Sequence, residues 1–281
     1  MKIALYPNFD KSNALSCALS CAEILHRYGA EVFVRESHRE QFSSVDFVKI
    51  GKMAEIAPEC DIIIAIGGDG TILKCSGYAA KNSKPLLGIN TGRLGFMASV
   101  ERDELHKLER LFSGEYFIQE RMMIDVIHHH NGENDRFTAL NDVIAARMFS
   151  RIADFTVSIN GRVISNMRSD GVVFSTPTGS TAYALSAGGP IIEPTLSCIE
   201  FASVCPHSLW SRPMLIDPSN IIEVEHCSED IFFSVDGSRE IHFDKSDKLE
   251  IMRSERVLKL IEIDGGSFYD AVNLKLMRSL K

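Results

Sequence analysis

The sequence predicts an α/β protein, with a doubly wound parallel sheet at the amino-terminal end followed by a second, predominantly β domain. Three observations carry this. Strand and helix patterns alternate as far as about residue 100. Within them, Ile62 to Ile66 is an unbroken apolar run of the kind buried on both faces of a parallel sheet. Beyond Phe112, short β-branched segments bounded by turn residues replace the alternation. With 281 residues the chain exceeds the usual span of one hydrophobic core, so two domains are expected.

Residues 3–6 read as a strand ended by Pro7-Asn8. Ala14, Leu15, Ala18, Leu19, Ala22 and Leu25 then recur at helical spacing until Gly29. A short strand is expected over 31–35, the buried one over 61–66, a turn and helix after it, and a further strand over 85–90. Residues 101–112 have helical spacing and lead out of this half. Strands follow at 122–128, 137–145, 155–159, 171–175, 221–225, 231–235 and 249–251. Asn160-Gly161 suits a two-residue hairpin turn, because both central positions must tolerate positive φ. Residues 267–280 fit a terminal helix loosely. The expected division is therefore 1–100, 101–265 and a carboxyl-terminal helix at 266–281 that packs back on the first domain.

Composition narrows the partners. The net charge of −8, from 38 acidic against 30 basic residues, with no run of five Lys or Arg, argues against nucleic acid. It does not argue against a nucleotide, whose phosphates are held by backbone amides, a metal ion and a few local cations. No apolar run approaches the ~20 residues of a membrane helix. The amino terminus enters a strand directly, without a charged segment, apolar stretch and cleavage site, so a cytoplasmic protein without membrane attachment is expected. The seven cysteines form no C-x-x-C pair and read as reduced thiols, with Cys17 and Cys21 packed on a helix face. His128-His129-His130 leads into a polar turn, and alternate side chains of a strand face opposite ways, so this tract reads as a solvated hairpin and no metal site is expected.

Two stretches carry chemistry. Gly67-Gly68-Asp69-Gly70-Thr71 follows the buried strand directly, at the carboxyl edge of a parallel sheet where ligands of open α/β folds gather. Its glycines let the chain turn tightly and bring bare N–H groups to a phosphate, beside the positive end of the next helix. It is neither a Walker A loop nor a G-x-G-x-x-G turn. The second stretch, Asn166 to Pro190, is rich in small hydroxyl residues, which offer hydrogen bonds without bulk so that a flat base or a ribose can approach the backbone.

Taken together these stretches resemble the NAD kinase family. The matching segments are G-G-D-G-T, Gly88 to Phe96, Ala139-Leu140-Asn141-Asp142, Ser169-Asp170-Gly171, and Thr176 to Pro190. Cys205 to Leu209 with Arg212-Pro213, and Val235-Asp236-Gly237, extend the match over most of the chain. G-G-D-G-T alone is shared with phosphofructokinases and lipid kinases, and the later block selects NAD kinase.

The resemblance implies transfer of the terminal phosphate of ATP, or another phosphoryl donor, to the 2′-hydroxyl of the adenosine ribose of NAD. A divalent metal ion, magnesium, would arrive with the donor. Asp69 would act on the hydroxyl. Gly70 would hold the phosphate end and Lys74 add charge there, with Phe96 in the matching turn. Asn141 and Asp142 would hydrogen-bond NAD, Asp142 standing where the family more often has Glu. Asp170 and Thr178, Thr181, Ala182 and Tyr183 would line the adenine or nicotinamide ends, with Ala184, Leu185 and Ser186 continuing that wall. Arg151 and Arg168 would reach a substrate, across a subunit interface of a homodimer or homotetramer. On this reading 1–100 carries the phosphate turn and 101–265 binds NAD. The alternatives are a lipid or sugar kinase of the same superfamily and a non-catalytic NAD-sensing module.

Overall fold

A computed structural model describes the chain except for residues 12, 93–94, 149–151, 209–210, 266–267 and 278–281. It has two compact units, residues 1–120 with 257–281 and residues 121–256.

In the first unit the chain runs through β1 (Lys2–Pro7), α1 (Ala14–Arg27), β2 (Glu31–Arg35), β3 (Lys49–Gly51), α2 (Met53–Glu59), β4 (Ile62–Gly67), α3 (Asp69–Lys81), β5 (Pro85–Asn90) and β6 (Val100–Glu101). A 3-10 helix (Arg102–Glu109) leads into α4 (Arg110–Ser113). The order β5-β4-β1-β2-β3 is parallel throughout, with β1 between β2 and β4. Every residue of β4 is buried, as an apolar run covered on both faces must be. Alternate residues of each strand face one way. Leu5, Val34, Ile64 and Ile89 share a cluster with Cys17, Ala18, Cys21 and Leu25 of α1 and with Leu105, Leu108 and Leu111. On the opposite side Gly88 leaves room for α3: a Cβ there would stand 2.4 Å from Cδ1 of Ile72, which would have to shift.

The second unit is built from most of β7 (Phe117–His130), β8 (Glu133–Ala139), β9 (Asp142–Arg147), β10 (Ala153–Ile159), β11 (Arg162–Ser169), β12 (Gly171–Ser175), β13 (Ile199–Val204), β14 (Met214–Ile216), β15 (Ile222–His226), β16 (Ile231–Val235), β17 (Ile241–Phe243) and the first part of β18 (Lys248–Glu262). A short 3-10 helix (Thr178–Thr181) and α5 (Tyr183–Ser186) follow β12. One antiparallel sheet has the order β14-β13-β12-β9-β16-β17, and a second includes β11-β10-β15-β18. Met122, Ile124, Phe155, Val157, Val172, Phe174, Phe201 and Phe233, drawn from both sheets, form one apolar core. The rest of β18 pairs with β5 in the first unit, Lys259 opposite Pro85. The last described elements are α6 (Phe268–Val272) and a π-helical turn (Asn273–Met277).

Three expectations are corrected. The single strand expected over 137–145 is two, β8 and β9. Leu140 and Asn141 leave the ladder because their amides bond to Asp236 instead. The change of texture at residue 100 precedes the end of the first unit, because Leu105, Leu108 and Leu111 belong to the cluster beneath α1. The hairpin at 128–135 forms, with Asn131 and Gly132 at positive φ, but His128 is buried rather than solvated. As expected, Cys17 and Cys21 pack in the core, and burial pushes the Cys17 thiol up to about 11 and the Cys21 thiol well above its usual range.

Candidate active site

Asp69 opens α3 immediately after β4, with Gly68 extended before it. Gly67 cannot carry a side chain, since a Cβ would stand 2.2 Å from Oγ1 of Thr71. The Asp69 carboxylate accepts from the amides of Phe96 (2.9 and 3.1 Å) and Met97 (3.2 Å), and from Nζ of Lys275 (3.2 Å). Gly95 allows this approach: a Cβ there would lie 2.1 Å from Asp69 Oδ1. Lys275 Nζ also sits 4.0 Å from the centroid of the Phe96 ring, and Phe268 lies against the same ring at 6.3 Å. Phe96 thus supplies both an amide to the acid and a face to the cation.

Beside this group is a cleft of about 410 Å³ lined by Lys11, Gly67, Gly68, Asn90, Thr91 and Gly92. It is at the carboxyl edge of the parallel sheet, where the open end of a 13-residue helix presents N–H groups and a positive dipole. Asn90 is fixed by donating to both oxygens of Glu101, and its Oδ1 accepts from Gly92. Gly70 is exposed at the helix start. Lys74 is exposed farther along α3 and does not line the cleft, whose cation is Lys11.

The second group of expected residues lies in the β unit. Asp142 opens β9 opposite Ser175, the last residue of β12, and only 4 % of it is exposed. Burial, and then the charge of Asp236, push its carboxyl up to about 7 against the opposing amide of Tyr183. Asp236 holds the preceding turn: Oδ2 accepts from Leu140 (2.8 Å), and Oδ1 from Asn141 (2.7 Å) and Asp142 (3.2 Å). Its own amide returns a bond to the Asp142 carbonyl. Burial raises the Asp236 carboxyl while these three amides pull it down.

Much of the hydroxyl-rich loop is committed to its own backbone. Thr176 Oγ1 donates to the Leu140 carbonyl and accepts from Gly179, Ser175 donates to the Asn141 and Thr176 carbonyls, and Ser180 bonds Pro177 and Ile192. Gly179 passes so close to the Asn141 carbonyl that a Cβ would stand 2.2 Å from its oxygen. The loop is therefore locked onto the Asn141-Asp142 turn. Asn141 Oδ1 and Thr178 Oγ1 are buried without a partner in that junction. Thr181, Ala182 and Leu185 are half-buried, Tyr183 and Ser186 exposed. Tyr183 lines a groove of about 360 Å³ with Ile144, Arg147 and Phe232. Ala184 is fully buried against Val173 and Ala202, so it supports the loop from below.

Asp170 precedes β12, and five residues of strand separate it from the end facing Asp142, about 17 Å at a strand's rise. The structure does not bring these two together within one chain. Asp170 is fixed through its backbone to Val204 and Arg147. Arg168 pairs with Asp154 at 3.1 Å on an exposed surface. Arg151 lies outside the described residues.

The ATP-NAD kinase N-terminal domain family matches residues 3–116 and the ATP-NAD kinase C-terminal domain family residues 140–263. The chain is 36 % identical over 281 residues to the NAD kinase of Caldanaerobacter subterraneus subsp. tengcongensis, with 98 % of each covered. The chain belongs to the NAD kinase family. The NAD kinase of Lachnoclostridium phytofermentans is a similar relative, 35 % identical over 285 residues with 98 % of each covered. The NAD kinase fold is shared with yeast NADH kinase complexed with NADH, at a TM-score of 0.91 and 23 % identity over 99 % of this chain and 87 % of that one. It is shared also with an NAD kinase from Archaeoglobus fulgidus in complex with ATP, at 0.76 and 24 % over 99 % of each.

Placed on this NAD kinase fold, several residues stand out that the motifs did not assign. Lys275 lies in a segment with only loose helical periodicity and meets Asp69 across 206 positions. Lys11 follows a strand end without any motif. Asp236 was visible as V-D-G, yet its use as an acceptor for three amides appears only in the fold.

Proposed function

We infer that this chain phosphorylates NAD to NADP, as the family membership and its near full-length relatives support, with ATP or another phosphoryl donor. Neither a lipid or sugar kinase nor a non-catalytic module gains support from any observation. The observation that carries the chemistry is the Asp69 carboxylate, standing free of the sheet at the start of a helix beside an amide-lined cleft.

Phosphoryl transfer passes through a loose transition state, so positioning and charge neutralisation do most of the work. The α3 amides, with Lys11, would hold donor phosphates at the cleft. Asp69 would orient the ribose 2′-hydroxyl and accept its proton as the bond to phosphorus forms. The Phe96 and Met97 amides fix the carboxylate's rotation so that it need not search for that geometry. A divalent ion brought with the donor would supply Lewis-acid neutralisation of its phosphates. The Asp69 carboxylate and the neutral oxygens of Asn90 and Thr91 suit magnesium, which keeps most of its waters and takes few protein ligands.

Asn141 and Asp142 would hold NAD by its polar edges, with Thr178, Thr181, Ala182 and Tyr183 forming the rim against which a base lies. Because Asp170 is a strand's length from Asp142, Asp170, Arg168 and Arg151 would serve a substrate held by a neighbouring subunit in a homodimer or homotetramer. The reaction is set in the cytoplasm, where NAD and ATP are both present. Incubation of the purified chain with ATP, magnesium and NAD should yield NADP. No NADP from folded protein with any nucleoside triphosphate or polyphosphate would refute the reading.

A further inference from the structure

We propose that the β7–β8 hairpin carries a binding site for a divalent transition-metal ion of the zinc type, formed by His128, His130 and Asp135 and separate from the phosphoryl-transfer site. His128 and His130 are two apart on β7, so both project from one face, and Asp135 stands directly opposite His128 on β8. A ligand atom from each of the three lies within 4.8 Å of the other two. The imidazoles stack with centroids 4.5 Å apart at 25°, and His130 Nε2 is 3.1 Å from Asp135 Oδ2. His129, on the other face, turns to Asn134 instead.

The buried member of the set points to a ligand. His128 is 4 % exposed, and its Nε2 is 2.9 Å from Oδ2 of Asp247, a carboxylate also held by the Asp244 amide. A carboxylate can only accept, so Nε2 carries the proton. Nδ1 is buried without a hydrogen-bond partner. Phe233 and Phe243 wall the ring at 4.9 and 6.0 Å and offer that nitrogen nothing polar. A ring with one nitrogen donating to a carboxylate, and the other left as a free lone pair, is the arrangement by which proteins orient a metal-binding histidine.

Two imidazoles and one carboxylate are a zinc ligand set, with water completing the tetrahedron. The graded exposure, from buried His128 through half-buried His130 to exposed Asp135, gives the ion a path from solvent. A bound ion would tie the hairpin to the 244–247 turn through Asp247 and stabilise the unit by mass action. The competing occupant of the pocket is an ordered water bonded to Nδ1.

The test uses the full chain freed of metal by a chelator and titrated with zinc chloride or cobalt chloride. One ion per chain should bind, with a cobalt spectrum free of thiolate charge-transfer bands and a raised melting temperature. His130→Asn and Asp135→Asn, both at accessible positions, should each weaken zinc at least about tenfold while the fold and magnesium-dependent NADP formation stay as in the wild type. The imidazole ¹⁵N signal of His128 Nδ1 should move on zinc addition. No saturable zinc binding, thiolate bands in the cobalt spectrum, or wild-type zinc affinity in both variants would overturn the site, the first leaving water as its occupant. Because NADP formation is followed separately, failure of the kinase reading would leave this result untouched.

Discussion

Lys275 Nζ lies 3.2 Å from Oδ2 of Asp69 and 4.0 Å above the Phe96 ring, so a residue near the carboxyl end holds the acid that opens α3. The pair is partly exposed, at 36 % and 26 %, so its worth lies in aiming the carboxylate more than in holding the fold. Lys275→Met should lower kcat about tenfold or more with little change in KM for NAD, since a misaimed base is felt in the transition state. Lys275→Arg should recover a good part of the loss. A steady-state assay with melting curves checks this. Loss of stability without the split between kcat and KM would make Lys275 a packing residue only.

Asp69→Asn keeps the shape and one acceptor oxygen for the Phe96 and Met97 amides, but it loses the ion pair with Lys275 and cannot take up the hydroxyl's proton. A fall in kcat of ~10²–10⁴ is expected, with kcat/KM following it and NAD binding retained. More than about a tenth of wild-type turnover in folded protein would remove Asp69 from the base role.

Asp142, with its carboxyl raised to about 7 by burial and then by Asp236, gives NAD binding a pH dependence. The charged form is the better acceptor, so affinity should rise as pH passes upward through 7 and should lose this rise in Asp142→Asn. Asp142→Ala should weaken binding by about 1.5–3 kcal/mol, the range for a hydrogen bond to a charged group. Calorimetry across pH 6 to 8 reads both effects. Unchanged affinity in the alanine variant would place Asp142 outside the NAD site.

Glu200 on β13 is fully buried with neither carboxylate oxygen hydrogen-bonded, and burial raises it to about 7. Below the ordinary glutamate range folded and unfolded chains both carry the proton. Between that range and about 7 only the folded chain does, so stability falls as pH rises through this window and levels off above it. Melting temperatures from pH 5 to 8.5 should therefore show Glu200→Gln gaining on the wild type as pH rises, and melting higher than it at pH 8. A difference in melting temperature between Glu200→Gln and the wild type that does not change with pH would contradict the assignment.

What was legible in the sequence was whatever depends on near neighbours. The apolar run of β4, the spacing of α1 and the glycines around Asp69 each state a local requirement, and the fold meets all three. The break at Leu140-Asn141 was illegible because its cause, Asp236, lies 95 residues from Asn141. The hydroxyls of Ser175, Thr176 and Ser180 looked available to a ligand because composition does not reveal which backbone carbonyls they will face. Lys74, one turn into α3, looked like the phosphate cation, whereas Lys11 lines the cleft because the end of β1 and the start of α3 share a sheet edge.

The split membership of β18 bears on how the protein is made. Residues 257–281, which complete the first unit, leave the ribosome only after the whole of 121–256. Until then the Pro85-Leu86 edge of β5 lacks Lys259 and Leu260, and an uncovered strand edge invites pairing with other chains. Synthesis thus runs ahead of assembly: the second unit can fold first, and Asp69 gains its lysine partner only after residues 121–256 have been made. A nascent chain stalled short of residue 257 would hold the phosphate turn without the cation that aims its acid.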